Sequence, residues 1–188
     1  MRAWLASQNA HKLVELRAAL PTWEIEPLAA EGWPAETGET YEQNARLKAR
    51  FARGLVADGW VLGEDSGIEC AALGGEPGLH SARWAPRGDQ ADALLERLAG
   101  EDDRRARMVT VLLALSPAGG ELVGNGVLTG TIARERRGEE GFGYDPIFVP
   151  DGFERTIAEL GDGWKNEHSH RARAAHALAG AVARAGSG

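Results

Sequence analysis

The opening of the chain constrains its architecture most. Arg2–Ala6 is a short apolar run that reads as a buried strand, Ser7–Lys12 is a polar turn, and Leu13, Leu16 and Leu20 then share one helical face until Pro21 stops the pattern. The same grammar continues downstream. Thr40 with Gln43 three residues on forms a capping-box pattern, and Ala45, Ala49, Ala52 and Val56 recur on one face of a second helix that Gly59 ends. Trp60–Gly63 reads as a strand running into Glu64-Asp65-Ser66-Gly67, with Ile68–Leu73 as a separate strand and Gly74–Gly78 as a turn cluster. Asp89 is placed to cap a helix through Leu98. Met108–Leu115 and Leu122–Ala133 are β-rich runs joined at Pro117–Gly120 as a hairpin, and Ile147–Val149 is a brief strand. Thr156 and Glu159 repeat the capping-box pattern, and Ser169 is placed to cap a last helix whose Ala174, Ala175, Leu178 and Val182 point inward. Helices and strands that alternate early and form a hairpin late predict an α/β fold, a mixed sheet flanked by helices.

A length of 188 residues suits one domain, taken as residues 1–185 with a flexible tail at 186–188. The formal net charge of −7 argues against a nucleic-acid polymer or a membrane surface as partner, since both want a positive field. No apolar run approaches the roughly 20 residues that span a bilayer, and the N-terminus lacks a signal peptide's apolar core. Cys70 is the only cysteine, which excludes an intrachain disulfide and a cysteine-based zinc cluster and points to the reducing cytoplasm. Of 21 basic residues only Lys12, Lys48 and Lys165 are lysine. A compact ammonium and a planar guanidinium are not interchangeable at a phosphate or a base, which singles these three out.

Three groups of residues carry candidate chemistry. Ser7, Gln8, Asn9, Ala10, His11 and Lys12 sit between a buried strand and a helix start, where free N–H groups and the helix dipole favour an anion; a capped helix with a surface lysine is the bland alternative. Glu36 precedes the second helix and Asp65 follows a buried strand, and two carboxylates with water and phosphate oxygens make a natural Mg²⁺ site. Asp65 is also placed to orient or deprotonate a water, while Asn44 and Lys48, four apart, share a face of the same helix. In Gly141-Phe142-Gly143-Tyr144-Asp145-Pro146 the glycines permit close backbone approach and two aromatics offer faces to a base. Lys165 and His168-Ser169-His170-Arg171 concentrate donors at the last helix start; two histidines without a third ligand make a poor zinc site.

These segments, together with Glu36–Thr40, Asn44-Ala45, Lys48-Ala49, Gly74–Gly78 and Ser81-Ala82-Arg83, occur in an order that resembles the inosine triphosphate pyrophosphatase family, the XTP/dITP diphosphatases, from about residue 3 to residue 180. Two departures stand out: Ser7-Gln8-Asn9 replaces the family's Thr-Gly-Asn, and Glu64-Asp65-Ser66-Gly67 replaces Asp-Asp-Ser-Gly. The resemblance implies a single domain with a central mixed sheet and two lobes around an active-site cleft, commonly as a homodimer. It implies hydrolysis of ITP, dITP and XTP to the monophosphate and pyrophosphate, cleansing the nucleotide pool. Ser7 to Lys12 and Lys48 would then hold the triphosphate, Glu36 and Asp65 would serve Mg²⁺, and Asp65 would activate water. Ser66 would contact substrate, and Phe142, Gly143, Tyr144, Asp145, Lys165, His170 and Arg171 would form the base pocket. Donors there hydrogen-bond to the accepting six-carbonyl of hypoxanthine or xanthine and are left unpaired by adenine's amino group; guanine shares that carbonyl and is not separated by this argument. Three rivals carry different expectations. A Maf-type pyrophosphatase would prefer pyrimidine or modified nucleotides, a nucleotide sensor would bind without cleaving, and an RNA-binding module fits poorly with the acidic balance.

Overall fold

Strand β1 (Arg2–Ala6) forms where expected, with Ala3 and Leu5 fully buried. The computed structural model describes residues 1–86 and 88–186, so Ser187 and Gly188 of the expected tail lie outside the described residues. Helix α1 (Ala10–Ala19) follows, then a strand the sequence pattern did not reveal, β2 (Glu24–Pro27). β2 is four residues long and only Ile25 is buried, so no alternation is long enough to signal it. Helix α2 (Tyr41–Leu55) starts at Thr40, whose side chain accepts from the Gln43 N–H. Glu64 and Asp65 then fall inside one uninterrupted strand, β3 (Trp60–Cys70), where the sequence suggested two. Short 3₁₀ turns at Ala71–Leu73 and Gly78–Arg83 precede α3 (Gln90–Arg97). The hairpin strands are β4 (Arg105–Leu115) and β5 (Glu121–Ile132), closed by the Ser116 N–H on the Gly120 carbonyl. Strand β6 (Phe148–Pro150) and helices α4 (Ile157–His168) and α5 (His170–Ala185) complete the order. The capping box at Thr156 and Glu159 is present.

The six strands pair in the order β2-β1-β3-β4-β5-β6, parallel for β1 with β2 and β3 and antiparallel for β5 with β6. The sheet is therefore mixed. The chain clusters into two compact units: Met1–Asp65 with Thr110–Gly126 and His170–Gly188, and Ser66–Val109 with Val127–Ser169.

In the first unit β1 has β2 on one side and β3 on the other. Right-handed crossovers then send α1 and α2 to opposite faces of the sheet. One face packs Leu16 of α1 and Ala174, Ala175 and Leu178 of α5 on Leu5, Leu62 and Leu112; the other packs Ala45, Ala49 and Ala52 of α2 on Val61, Val111 and Leu113. Gly63 makes the second layer possible: a Cβ there would collide with the Ala45 carbonyl and the Ala49 N–H, so the α2 backbone rests directly on the strand. In the second unit Ala91 and Leu94 of α3, Leu98 just after it and Ile157 of α4 cover Ile68, Met108, Leu128 and Phe148. No helix among the described residues is long and apolar enough to cross a membrane.

The close seat of α2 has a direct consequence. Gly63→Ala is expected to lower unfolding stability by about 3 kcal/mol through overpacking, read by urea denaturation; an unchanged midpoint would remove the reason for glycine at this position.

Candidate active site

The turn after β1 is organised by its own side chains. Ser7 Oγ accepts the Asn9 N–H at 3.2 Å, and Asn9 Oδ1 accepts the His11 N–H at 3.0 Å as the N-cap of α1. Gln8, Ala10 and His11 are exposed beside the start of this ten-residue helix, where uncapped N–H groups favour an anion. Because Ala6 lies opposite Gly63 in the β1–β3 register, this turn begins level with Glu64. Lys12 Nζ pairs with the Glu64 carboxylate.

Strand alternation sends Glu64 and Asp65 to opposite faces. Glu64 is fully buried on the α1 and α5 side, between Lys12 and Arg171, whose Nε and Nη2 each lie 3.2 Å from Oε1. Arg171 also pairs with Glu15 of α1. Burial by itself would push the Glu64 carboxyl up, but the charges of Lys12, Arg171 and Lys48 overcome it and hold the group well below the usual carboxylate range. Arg171 moves the other way, burial opposing its charge while Glu64 and Glu15 raise it.

Asp65 occupies the α2 side. Its Oδ2 accepts from Asn44 Nδ2 at 3.2 Å and its Oδ1 from Lys48 Nζ at 2.9 Å. The same ammonium lies 2.6 Å from Glu36 Oε1 and donates to the Glu64 carbonyl at 3.0 Å. Asn44 turns its other atom to the Glu36 segment, Oδ1 accepting the Gly38 N–H at 2.8 Å. Here burial prevails: it pushes the Asp65 carboxyl up, against Lys48, with Glu64 and Glu36 adding to the rise. Burial lowers Lys48, and the charges of Asp65 and Glu64 and the hydrogen bond to Glu36 more than reverse it.

The second unit holds a separate group. Asp145 Oδ2 accepts the Phe142 N–H at 2.7 Å and Lys165 Nζ at 2.5 Å, and that ammonium lies 4.1 Å from the Phe142 ring centroid. A Cβ on Gly141, at φ 78°, would strike the Asp145 carboxylate, so the loop closes over its own acid only with glycine there. The two aromatics differ from expectation. Phe142 faces the lysine, whereas Tyr144 packs on the core around Phe148 and donates its hydroxyl to the Ser81 carbonyl at 2.9 Å. Burial raises that phenol. Gly143 has φ 62°, and Ser66 is half-buried on β3.

Every lysine of the chain thus pairs with an acid: Lys12 with Glu64, Lys48 with Glu36 and Asp65, Lys165 with Asp145. Arg171 and the buried His170 fall in the first unit and Lys165 in the second. Glu15 is the participant that reading missed. Its signal is an acid one helical turn after Lys12 and next to the buried Leu16. Among the described residues no group of three or more His, Cys, Asp or Glu converges to hold a metal. Two carboxylates meeting at one ammonium nonetheless fit a hard divalent cation that keeps its waters and takes other oxygens from a substrate.

Comparison with known proteins decides the relationship. Residues 3–181 match the model of the Ham1 family. The chain belongs to the Ham1 family. Its relatives include proteins named dITP/XTP pyrophosphatase from Symbiobacterium thermophilum, 47% identical over 92% of this chain and 90% of that one, and from Deinococcus deserti, 44% identical over 93% and 86%. The solved Ham1 protein of Staphylococcus aureus superposes with a TM-score of 0.84 at 33% identity over the full length of both chains.

For this Ham1-family member, the Glu64 clamp carries an acid-stability signature. A carboxylate whose folded pKa is depressed stabilises the fold above its unfolded pKa of about 4.3 and loses that contribution as pH falls below it. Glu64→Gln is expected to cost about 3 kcal/mol at neutral pH, by leaving Lys12 without its acid and Arg171 with Glu15 alone, and to flatten the fall in urea stability between about pH 5 and pH 3. A variant as stable and as acid-sensitive as the wild type would show that Glu64 is not the clamp.

Proposed function

We propose that this chain hydrolyses dITP, ITP and XTP to the nucleoside monophosphate and pyrophosphate, with Mg²⁺ held by Glu36 and Asp65. The observation that carries the reading is the placement of Asp65, buried on β3 beside Lys48 and Glu36, where burial pushes its carboxyl up from its ordinary value. Such a carboxyl has the basicity to take a proton from water that a strongly acidic one lacks. The relatives named dITP/XTP pyrophosphatase support the substrate class.

In this reading the turn Ser7, Gln8, Asn9, Ala10, His11 and Lys12 receives phosphate oxygens at the start of α1, with Lys48 as a second cation. Asp65 orients the attacking water and accepts its proton as the link between the α- and β-phosphoryl groups breaks and pyrophosphate departs. Glu36 and Asp65 would hold Mg²⁺, which when bound would supply positive charge for the developing negative charge on the phosphoryl oxygens. Ser66 contacts the substrate beyond Asp65. Phe142 offers a ring face, and Lys165, fixed by Asp145, offers the donor that meets a six-carbonyl and not a six-amino group. Arg171 supports this arrangement through Glu64. The family resemblance further supports a homodimer, and a chain whose single cysteine is buried and outside any disulfide suits the cytoplasm.

A nucleotide panel with Mg²⁺, scored for pyrophosphate, tests the reading. ITP, dITP and XTP are expected to be cleaved well and ATP poorly; orthophosphate as product, equal cleavage of all purine triphosphates, or binding without turnover would each reject it. Lys165→Ala is expected to reduce the ITP-over-ATP ratio of kcat/KM by at least about tenfold with little change in Mg²⁺ affinity. A preserved ratio would remove Lys165 from base recognition.

A further inference from the structure

We propose that Glu140 is a positioning residue for base recognition: its carboxylate caps the second half of α4 and so fixes Lys165 against Asp145 and Phe142. The proposal rests on the reading above for what Lys165 does.

Helix α4 is two helical pieces. Gly161, at φ 86° and ψ 168°, interrupts it, and the helix restarts at Asp162. The first N–H groups of a restarted helix have no intrahelical acceptor, and the residue before the start ordinarily supplies one from its side chain. Gly161 has no side chain to supply. Glu140 fills the role from elsewhere in the chain: its Oε2 accepts the Asp162 N–H at 2.9 Å. The carboxylate lies over the glycine, such that a Cβ there would come within 3.1 Å of the same oxygen. A negative charge at this end also meets the favourable pole of the helix dipole.

The position of Glu140 in the sequence gives the cap its consequence. It stands two residues before Phe142, and Lys165 stands three residues, about one turn, after Asp162. The first half of α4 is already fastened to the same loop, since Thr156 Oγ1 donates to the Arg137 carbonyl at 2.7 Å and the Ala158 N–H to the Asp145 carbonyl at 3.2 Å. Glu140 fastens the second half. The turn that bears Lys165 is thereby held at its start by Glu140 and at its ammonium by Asp145. Without the cap that turn frays, and each entering base must reorder Lys165, a cost that falls on binding rather than on bond cleavage.

The test compares Glu140→Ala with Glu140→Gln, which keeps an acceptor oxygen, in two measurements on the full-length protein. Hydrogen exchange at Asp162, Gly163 and Trp164 is expected to be faster in Glu140→Ala and near wild type in Glu140→Gln. Steady-state kinetics are expected to give a KM for ITP raised about fivefold in Glu140→Ala, the loss of one cap, with the ITP-over-ATP ratio reduced alongside and kcat within twofold. Glu140→Gln should recover most of both. Unchanged exchange, a KM and ratio at wild-type values, a fall confined to kcat, or a Gln variant as impaired as the Ala variant would each overturn the proposal. Absence of ITP turnover in the wild type would instead reject the functional reading, and the exchange result would still decide whether Glu140 is the cap.

Discussion

The site depends on how one fully buried carboxylate is kept charged. Glu64 has no solvent to stabilise it, so its ionisation rests on cations, Lys12 of α1 and Arg171 of α5 in direct contact and the nearby charge of Lys48 of α2. Truncating either contacting cation would leave a fully buried charge less well compensated, which is costly in the interior. Arg171 is itself held by Glu15, one turn along α1 from Lys12, so the helix that begins at the proposed phosphate turn is anchored to β3 by two of its own side chains.

Strand geometry converts that anchor into a division of labour. Neighbouring carboxylates on a strand face opposite sides, and here one side is rich in cations while the other offers Asp65 a single shared ammonium. Glu64 is held ionised far below the usual range, and Asp65 is raised. Two acids adjacent in sequence thus acquire different characters from their surroundings alone, one structural and one suited to the catalytic role proposed for it, as paired carboxylates do when their environments push their pKa values apart. The raised pKa means that ionised Asp65 weakens the fold near neutral pH, a local conflict of the sort expected at a functional position.

Much of this was legible in the sequence, for reasons that differ by element. The capping boxes at Thr40 and Thr156 and the Pro117–Gly120 hairpin were legible because local hydrogen bonding sets them. The single strand β3 was not, because Gly63 and Gly67 look like punctuation; at Gly63 the missing side chain serves the approach of α2 instead. β2 escaped because a four-residue strand with one buried side chain carries almost no pattern. Among site residues, Asp65, Glu36 and Lys48 could be chosen by chemistry, yet only the fold shows that one ammonium joins them. Arg171 was grouped with Lys165 because they are close in sequence. The change from α4 to α5 at Ser169 places them in different units and turns Arg171 onto Glu64 and Glu15. Gln8, which departs from the family's glycine, is accommodated by exposure.

The central claim is that Asp65, set apart from Glu64 by the two faces of β3, is the group that activates water. The direct measurement is the rate of pyrophosphate release from ITP by Asp65→Asn at saturating substrate and Mg²⁺, taken together with its urea midpoint. The account expects a loss of at least about a hundredfold in rate in a variant that remains folded. A rate within tenfold of wild type in a fully folded variant would contradict it.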